Sequence, residues 1–130
     1  VELLIVRHAE AAAGDPDELR PLTPAGREQA RSLGVRLREE GVRRGAILTS
    51  PLLRARETGK FIGRELGVEP EADERLSPGA DAAGVTEAAR ERTGPVVVVA
   101  HQPDCSRIAA ALTGGPEPDF PPAGVVTVRF

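Results

Sequence analysis

Short apolar runs and amphipathic stretches take turns along this chain of 130 residues. Residues 1–7 form a short apolar run, with Leu3, Leu4, Ile5 and Val6 consecutive, that ends in a charged pair. Such a run without alternation marks a strand covered on both faces, as in a parallel sheet. Residues 46–49 form a second short run. Residues 95–100 hold four consecutive valines, the strongest strand signal in the chain. Residues 125–130 read as a last strand. Between these runs lie helix signals. Thr23-Pro24 joins a capping hydroxyl to a proline suited to the first helical position, and Ala30, Leu33 and Leu37 then share one face. Gly41 reads as the stop. Ser50-Pro51 repeats the cap-plus-proline signal for a helix to about Leu66, with Leu53, Phe61, Ile62 and Leu66 inward. Asp81 caps an Ala-rich helix to about Arg92. Pro103 or Asp104 opens a helix closed by Gly114-Gly115. Residues 11–20 and 117–122 read as loops, Ser77-Pro78-Gly79 as a turn, and residues 68–75 as an acidic stretch with room for a short edge strand. The order predicts an α/β fold: a three-layer α/β/α sandwich whose mostly parallel sheet carries an antiparallel edge strand. No repeat or linker interrupts it, so one domain over residues 1–130 is expected.

Composition narrows the function classes. A net charge of −3, three Phe and no Trp or Tyr argue against nucleic acid as a partner. The lone Cys105 excludes an internal disulfide and a multi-cysteine metal site. It sits near a helix start but reads as a small core residue. A reducing compartment, hence the cytoplasm, is the expected location. No apolar run approaches the roughly 20 residues of a membrane helix, so no membrane role is expected. Residues 1–6 lack a basic leader and read as strand.

Three strand ends carry the chemistry. The first ends in Arg7-His8. The second ends in Ser50-Pro51, with Arg54 and Arg56 in the helix behind it. The valine strand ends in His101. These are the only two histidines. In open α/β sheets ligands sit beyond the carboxyl ends of the strands, so neighbouring parallel strands would bring both imidazoles and the guanidiniums together. That set suits phosphoryl transfer. Guanidinium gives bidentate bonds to phosphate oxygens. A neutral imidazole nitrogen can attack phosphorus, and a second imidazole can donate to a non-bridging oxygen. Ser50 reads as a cap, Thr58 as a packed or back-bonded hydroxyl, and Arg56 as a solvated cation.

The motifs resemble the histidine phosphatase superfamily, which includes phosphoglycerate mutases. Val6-Arg7-His8-Ala9 looks like its Arg-His-Gly signature. Leu22-Thr23-Pro24-Ala25-Gly26 with Gln29-Ala30 is similar to its first helix entry. Thr49-Ser50-Pro51-Leu52-Leu53-Arg54-Ala55-Arg56-Glu57-Thr58 matches its second arginine motif, and Val98-Val99-Ala100-His101-Gln102-Pro103 its second histidine motif. The four occur in the family's order. The short length, the Arg-His-Ala form and Arg20-Pro21-Leu22-Thr23 resemble the SixA-like phosphohistidine phosphatases. The resemblance implies a phosphoglycerate mutase-like fold and a metal-independent, cofactor-free hydrolase. It implies a covalent phosphohistidine at His8, with Arg7, Arg54 and His101 on the phosphoryl oxygens and Arg20 and Gln102 binding substrate. The expected substrate is phosphohistidine on a protein. A small phosphorylated metabolite is the alternative within enzymes, and a non-catalytic phosphoprotein-binding module the alternative outside them.

Two departures stand out. Gln102-Pro103-Asp104 replaces Asn-Pro-Gly, which would bring the Asp104 charge near the pocket if it points inward. Arg75 stands about where a general-acid carboxylate is often found, leaving Glu74, ahead of Asp73 or Asp81, as the substitute.

Overall fold

The computed structural model describes residues 1–130. In chain order it forms β1 (Glu2–Arg7), α1 (Pro24–Glu39), β2 (Ala46–Thr49), α2 (Leu53–Leu66), β3 (Glu71–Ala72), α3 (Ala82–Arg90), β4 (Val96–Ala100), α4 (Asp104–Thr113) and β5 (Val125–Arg129). Short 3-10 turns cover Asp17–Leu19 and Glu74–Leu76. The five strands make one sheet in the order β3-β2-β4-β1-β5. β1, β2, β3 and β4 run parallel, and β5 lies antiparallel on the β1 edge. No helix is long and apolar enough to cross a membrane.

Alternation along the strands separates two cores. Leu3, Ile5, Leu48, Val96, Val98 and Ala100 face one side and pack with Val85, Ala88 and Ala89 of α3 and Cys105, Ile108 and Ala109 of α4. Leu4, Val6, Ile47, Val97 and Val99 face the other side and pack with Leu33 and Leu37 of α1 and Ala55 and Ile62 of α2. Residues 3–6 of β1 and all of β4 are therefore buried in succession, which is why neither run alternates. Each such Leu, Ile or Val contributes about 1.5–3 kcal/mol relative to exposure.

Helix starts follow the capping chemistry at two positions. Thr23 accepts from Gly26 N–H ahead of Pro24, and Asp81 accepts from Gly84 N–H. The expectation for α2 needs correction. The helix begins at Leu53, and its N-cap residue Leu52 supplies no side-chain bond. Its buried face is Arg54, Ala55, Thr58, Gly59, Ile62 and Gly63, while Leu53, Phe61 and Leu66 are only half-buried. Close approach to β2 is the reason: a Cβ at Gly59 would stand 2.5 Å from Thr49 Cγ2. Large side chains cannot enter that contact, so the bulkier Phe61 packs beside the small cluster of Ala9, Leu22 and Ala30.

Backbone bonds then set the strand ends side by side. His8 N–H donates to Ala100 O at 3.0 Å, Ser50 N–H to Val99 O at 2.9 Å and Asp73 N–H to Thr49 O at 2.8 Å.

Candidate active site

Parallel pairing of β1 with β4 carries the residues just past both strands to one place. The His8 and His101 rings lie 5.2 Å apart between centroids, tilted by 57°. His8 is half-buried and His101 is only 4% exposed. His8 Nδ1 is 2.7 Å from Ala9 O. A carbonyl oxygen only accepts, so Nδ1 carries the hydrogen, and the neutral ring keeps its lone pair on Nε2. The tautomer needed for a nucleophile is thus set by the backbone beside it.

The surroundings favour that neutral form. Burial holds the His8 pKa below the ordinary histidine value, and Arg54, Arg7 and Arg20 push it the same way against the Ala9 hydrogen bond. His101 is pushed down to about 4, first by burial and then by the charges of His8 and Arg54. An anion brought among these groups would reverse the charge contributions.

Each guanidinium is tethered. Arg7 Nη1 donates to Phe120 O at 2.9 Å, Arg54 Nη1 to Asp17 O at 2.9 Å and Arg20 Nε to Ala12 O at 2.7 Å. Arg54 is buried on the first turn of α2, and Arg56 is exposed. Two buried side-chain nitrogens have no partner, Arg7 Nε and His101 Nδ1, and both belong to this cluster. Buried polar groups are nearly always paired, so two orphans within one cationic cluster set it apart from the rest of the fold.

The structure brings Arg7, His8, Arg20, Arg54 and His101 together. It takes other expected residues elsewhere. Gln102 spends both ends of its amide on Ser106: Oε1 accepts from its N–H at 3.0 Å and Nε2 donates to its Oγ at 2.8 Å, closing the first turn of α4. Asp104 accepts from Gly79 N–H at 2.8 Å, so its charge is met by a turn of the backbone. Glu74 is exposed and accepts from Ser77 Oγ at 3.1 Å, with no hydrogen bond to either imidazole. Its outward direction has a cause. Arg75 bonds Asp73, Glu87 and Glu91, and Leu76 is fully buried, which pins the Glu74–Leu76 turn against α3. Asp73 is held ionised by Arg75. Asp81 caps α3. Cys105 is a buried core residue, its thiol pushed up to about 12 by burial.

Two contacts are absent from the sequence reading. Ser50 does not cap α2; its Oγ lies 2.7 Å from His101 Nε2 and accepts from Leu52 N–H at 3.2 Å. Asp17, in a stretch expected to be loop, bonds both Arg54 and Arg20. The i, i+3 spacing of Asp17 and Arg20 was the one local signal for the second pair.

Comparison with known proteins bears on this geometry. The family model for the histidine phosphatase superfamily (branch 1) matches residues 3–78. The chain belongs to the histidine phosphatase superfamily. Within the superfamily it is SixA-like. A structure of the protein histidine phosphatase SixA complexed with tungstate matches it with a TM-score of 0.90, over 100% of this chain and 88% of that chain, at 28% identity. A SixA protein from Agrobacterium tumefaciens shares the fold, with a TM-score of 0.83 at 23% identity over 97% of this chain and 89% of that one. An uncharacterized protein of a Picosynechococcus species is 38% identical over 88% of this chain and 74% of its own. The mitochondrial serine/threonine-protein phosphatase Pgam5 of Drosophila persimilis is 40% identical over 52% of this chain, a segment that spans 24% of that protein. This histidine phosphatase is therefore a phosphoryl hydrolase by family, with the α/β sheet and antiparallel edge of its SixA neighbours.

Proposed function

We propose that the protein removes phosphate from protein phosphohistidine through a covalent phosphohistidine at His8. The observation that carries this is the 2.7 Å bond from His8 Nδ1 to the Ala9 carbonyl, which leaves Nε2 as the nucleophile. In the first step the Nε2 lone pair forms a bond to phosphorus while the bond from phosphorus to the substrate imidazole breaks. Arg7 and Arg54 hold the equatorial oxygens, and His101 faces the same charge. In the second step a water oxygen bonds to phosphorus, the bond to Nε2 breaks, and the water proton is released as inorganic phosphate forms.

The choice of leaving group follows from the carboxylates. An alkoxide needs a positioned acid, a contribution of about 10²–10⁴-fold. Asp73 and Asp17 are held ionised by arginines, Asp81 is a helix cap, and Glu74 faces solvent. A leaving imidazole takes its proton on its own second nitrogen and needs no such acid. The half-buried His8 is also within reach of a side chain presented by another protein.

The test is quenched turnover of a phosphohistidine peptide beside a panel of phosphomonoesters, with chelator present, for wild type and His8→Asn. The peptide should be consumed fastest, with chelator harmless and the variant inactive. Faster turnover of a monoester would replace this substrate with a small metabolite. Binding of phosphopeptide without any turnover would leave a recognition module.

A further inference from the structure

The three arginines around His8 are oriented by backbone carbonyls, which fix direction without cancelling charge. One carboxylate is added to them. Asp17 Oδ1 accepts from Arg20 Nη1 at 3.0 Å, and Asp17 Oδ2 accepts from Arg54 Nη2 at 3.1 Å. No other carboxylate is hydrogen-bonded to Arg7, Arg20 or Arg54.

We propose that the Asp17 carboxylate is an internal counter-anion, holding the place of phosphoryl oxygens between Arg54 and Arg20 in the empty site and competing with an arriving phosphoryl group. The inference rests on the reading of Arg54 as a phosphoryl ligand. Three observations carry it. First, the carboxylate is not what fixes the loop. Arg54 keeps its bond to Asp17 O and Arg20 its bond to Ala12 O without it. Residues 11–22 are further pinned by Ala12 N–H to Pro21 O at 2.8 Å, by Leu22 N–H to Glu57 Oε1 at 2.7 Å and by the Ala11–Leu22 bridge. Second, the Arg54 side chain is 9% exposed. A cation so far out of water needs an anionic partner in both the empty and the loaded state. Third, the Asp17 side chain is 57% exposed on a three-residue turn. It can rotate into water at little cost, as an exposed partner of an ion pair does. The competition lowers affinity for free phosphate. It favours release of product and selects substrates that bring further contacts from a protein surface.

Calorimetric titration with inorganic phosphate on wild type, Asp17→Asn, Asp17→Ala and Arg54→Ala tests this. Asparagine keeps an oxygen acceptor and removes the charge. Asp17→Asn and Asp17→Ala should bind phosphate about three- to tenfold tighter, the scale of one neighbouring exposed charge. A merely structural role for Asp17 would weaken binding, and equal or weaker binding overturns the proposal. Phosphate binding that survives in Arg54→Ala, or silence in wild type and both Asp17 variants alike, overturns the reading of the site together with the inference. Binding in wild type that Arg54→Ala loses and Asp17→Asn leaves unchanged overturns the inference alone. Carbon-13 NMR of the Asp17 carboxyl in wild type needs no variant to fold. Saturating phosphate should move its signal toward that of a solvated carboxylate, and an unmoved signal overturns the displacement.

Discussion

The Thr58 hydroxyl ties the two arms of the site together. It accepts from Ala9 N–H at 3.0 Å and donates to Arg54 O at 2.8 Å, all out of water. The same Ala9 supplies the carbonyl that orients His8. Thr58→Val keeps the shape, removes both bonds and strands a buried N–H, at a cost of about 1–3 kcal/mol. Urea denaturation should register that loss, and kcat/KM on phosphohistidine peptide should fall by about tenfold or more as the His8 ring loses its alignment. Unchanged kinetics would show that Ala9 is held by other means. Thr58 was legible as a back-bonded hydroxyl, yet its second bond spans 49 residues of sequence. Ser50 and Asp17 have the same difficulty. Their partners His101 and Arg54 are 51 and 37 residues away, and no local spacing reports such contacts. Arg7, His8, Arg54 and His101 were legible because each lies at a strand end or opens a helix.

At the scale of elements, α2 rests on β2 through glycine. Gly59→Ala gains helix propensity of about 1 kcal/mol but puts a methyl 2.5 Å from Thr49 Cγ2. Overpacking of this kind costs about 1–3 kcal/mol, so a net loss of stability is expected. Thr49→Ser removes the methyl that the new side chain would strike, so the double variant should recover most of the loss in a thermal melt. Additive effects would mean that the clash lies elsewhere. This contact explains why the inward face of α2 was misread: periodicity registers which positions are apolar, not how closely a helix approaches its sheet. The strands were legible for the opposite reason. The apolar runs of β1 and β4 are covered on both faces, and burial along the whole run leaves an unbroken signal. β3, two exposed residues at the sheet edge, left only a hint.

For the whole molecule, the histidine pair makes stability depend on pH. His101 falls from 6.5 to about 4 on folding, and His8 moves in the same direction. Between those values the unfolded chain binds protons that the native site refuses. Native stability is therefore complete above pH 6.5 and declines as pH falls toward 4, by up to about 1.4 kcal/mol per unit for His101, with His8 acting in the same direction. Urea midpoints at pH 7, 5.5 and 4.5 should fall in that order, and His101→Gln should flatten the decline; an equally steep decline in the variant would place the titrating groups elsewhere. The fold was legible as a whole because strands and helices alternate. Its carboxylates were not, because Arg75 joins Asp73 beside it to Glu87 of α3 and Glu91 at that helix's C-terminal end.

In the proposed reaction the phosphoryl group passes through His8. Mass spectrometry of protein quenched within milliseconds of mixing with phosphohistidine peptide tests it most directly. One phosphoryl adduct is expected on the peptide containing His8, stable to alkali, lost in acid and absent from His8→Asn. Turnover with no adduct on His8, or turnover retained by His8→Asn, would contradict it.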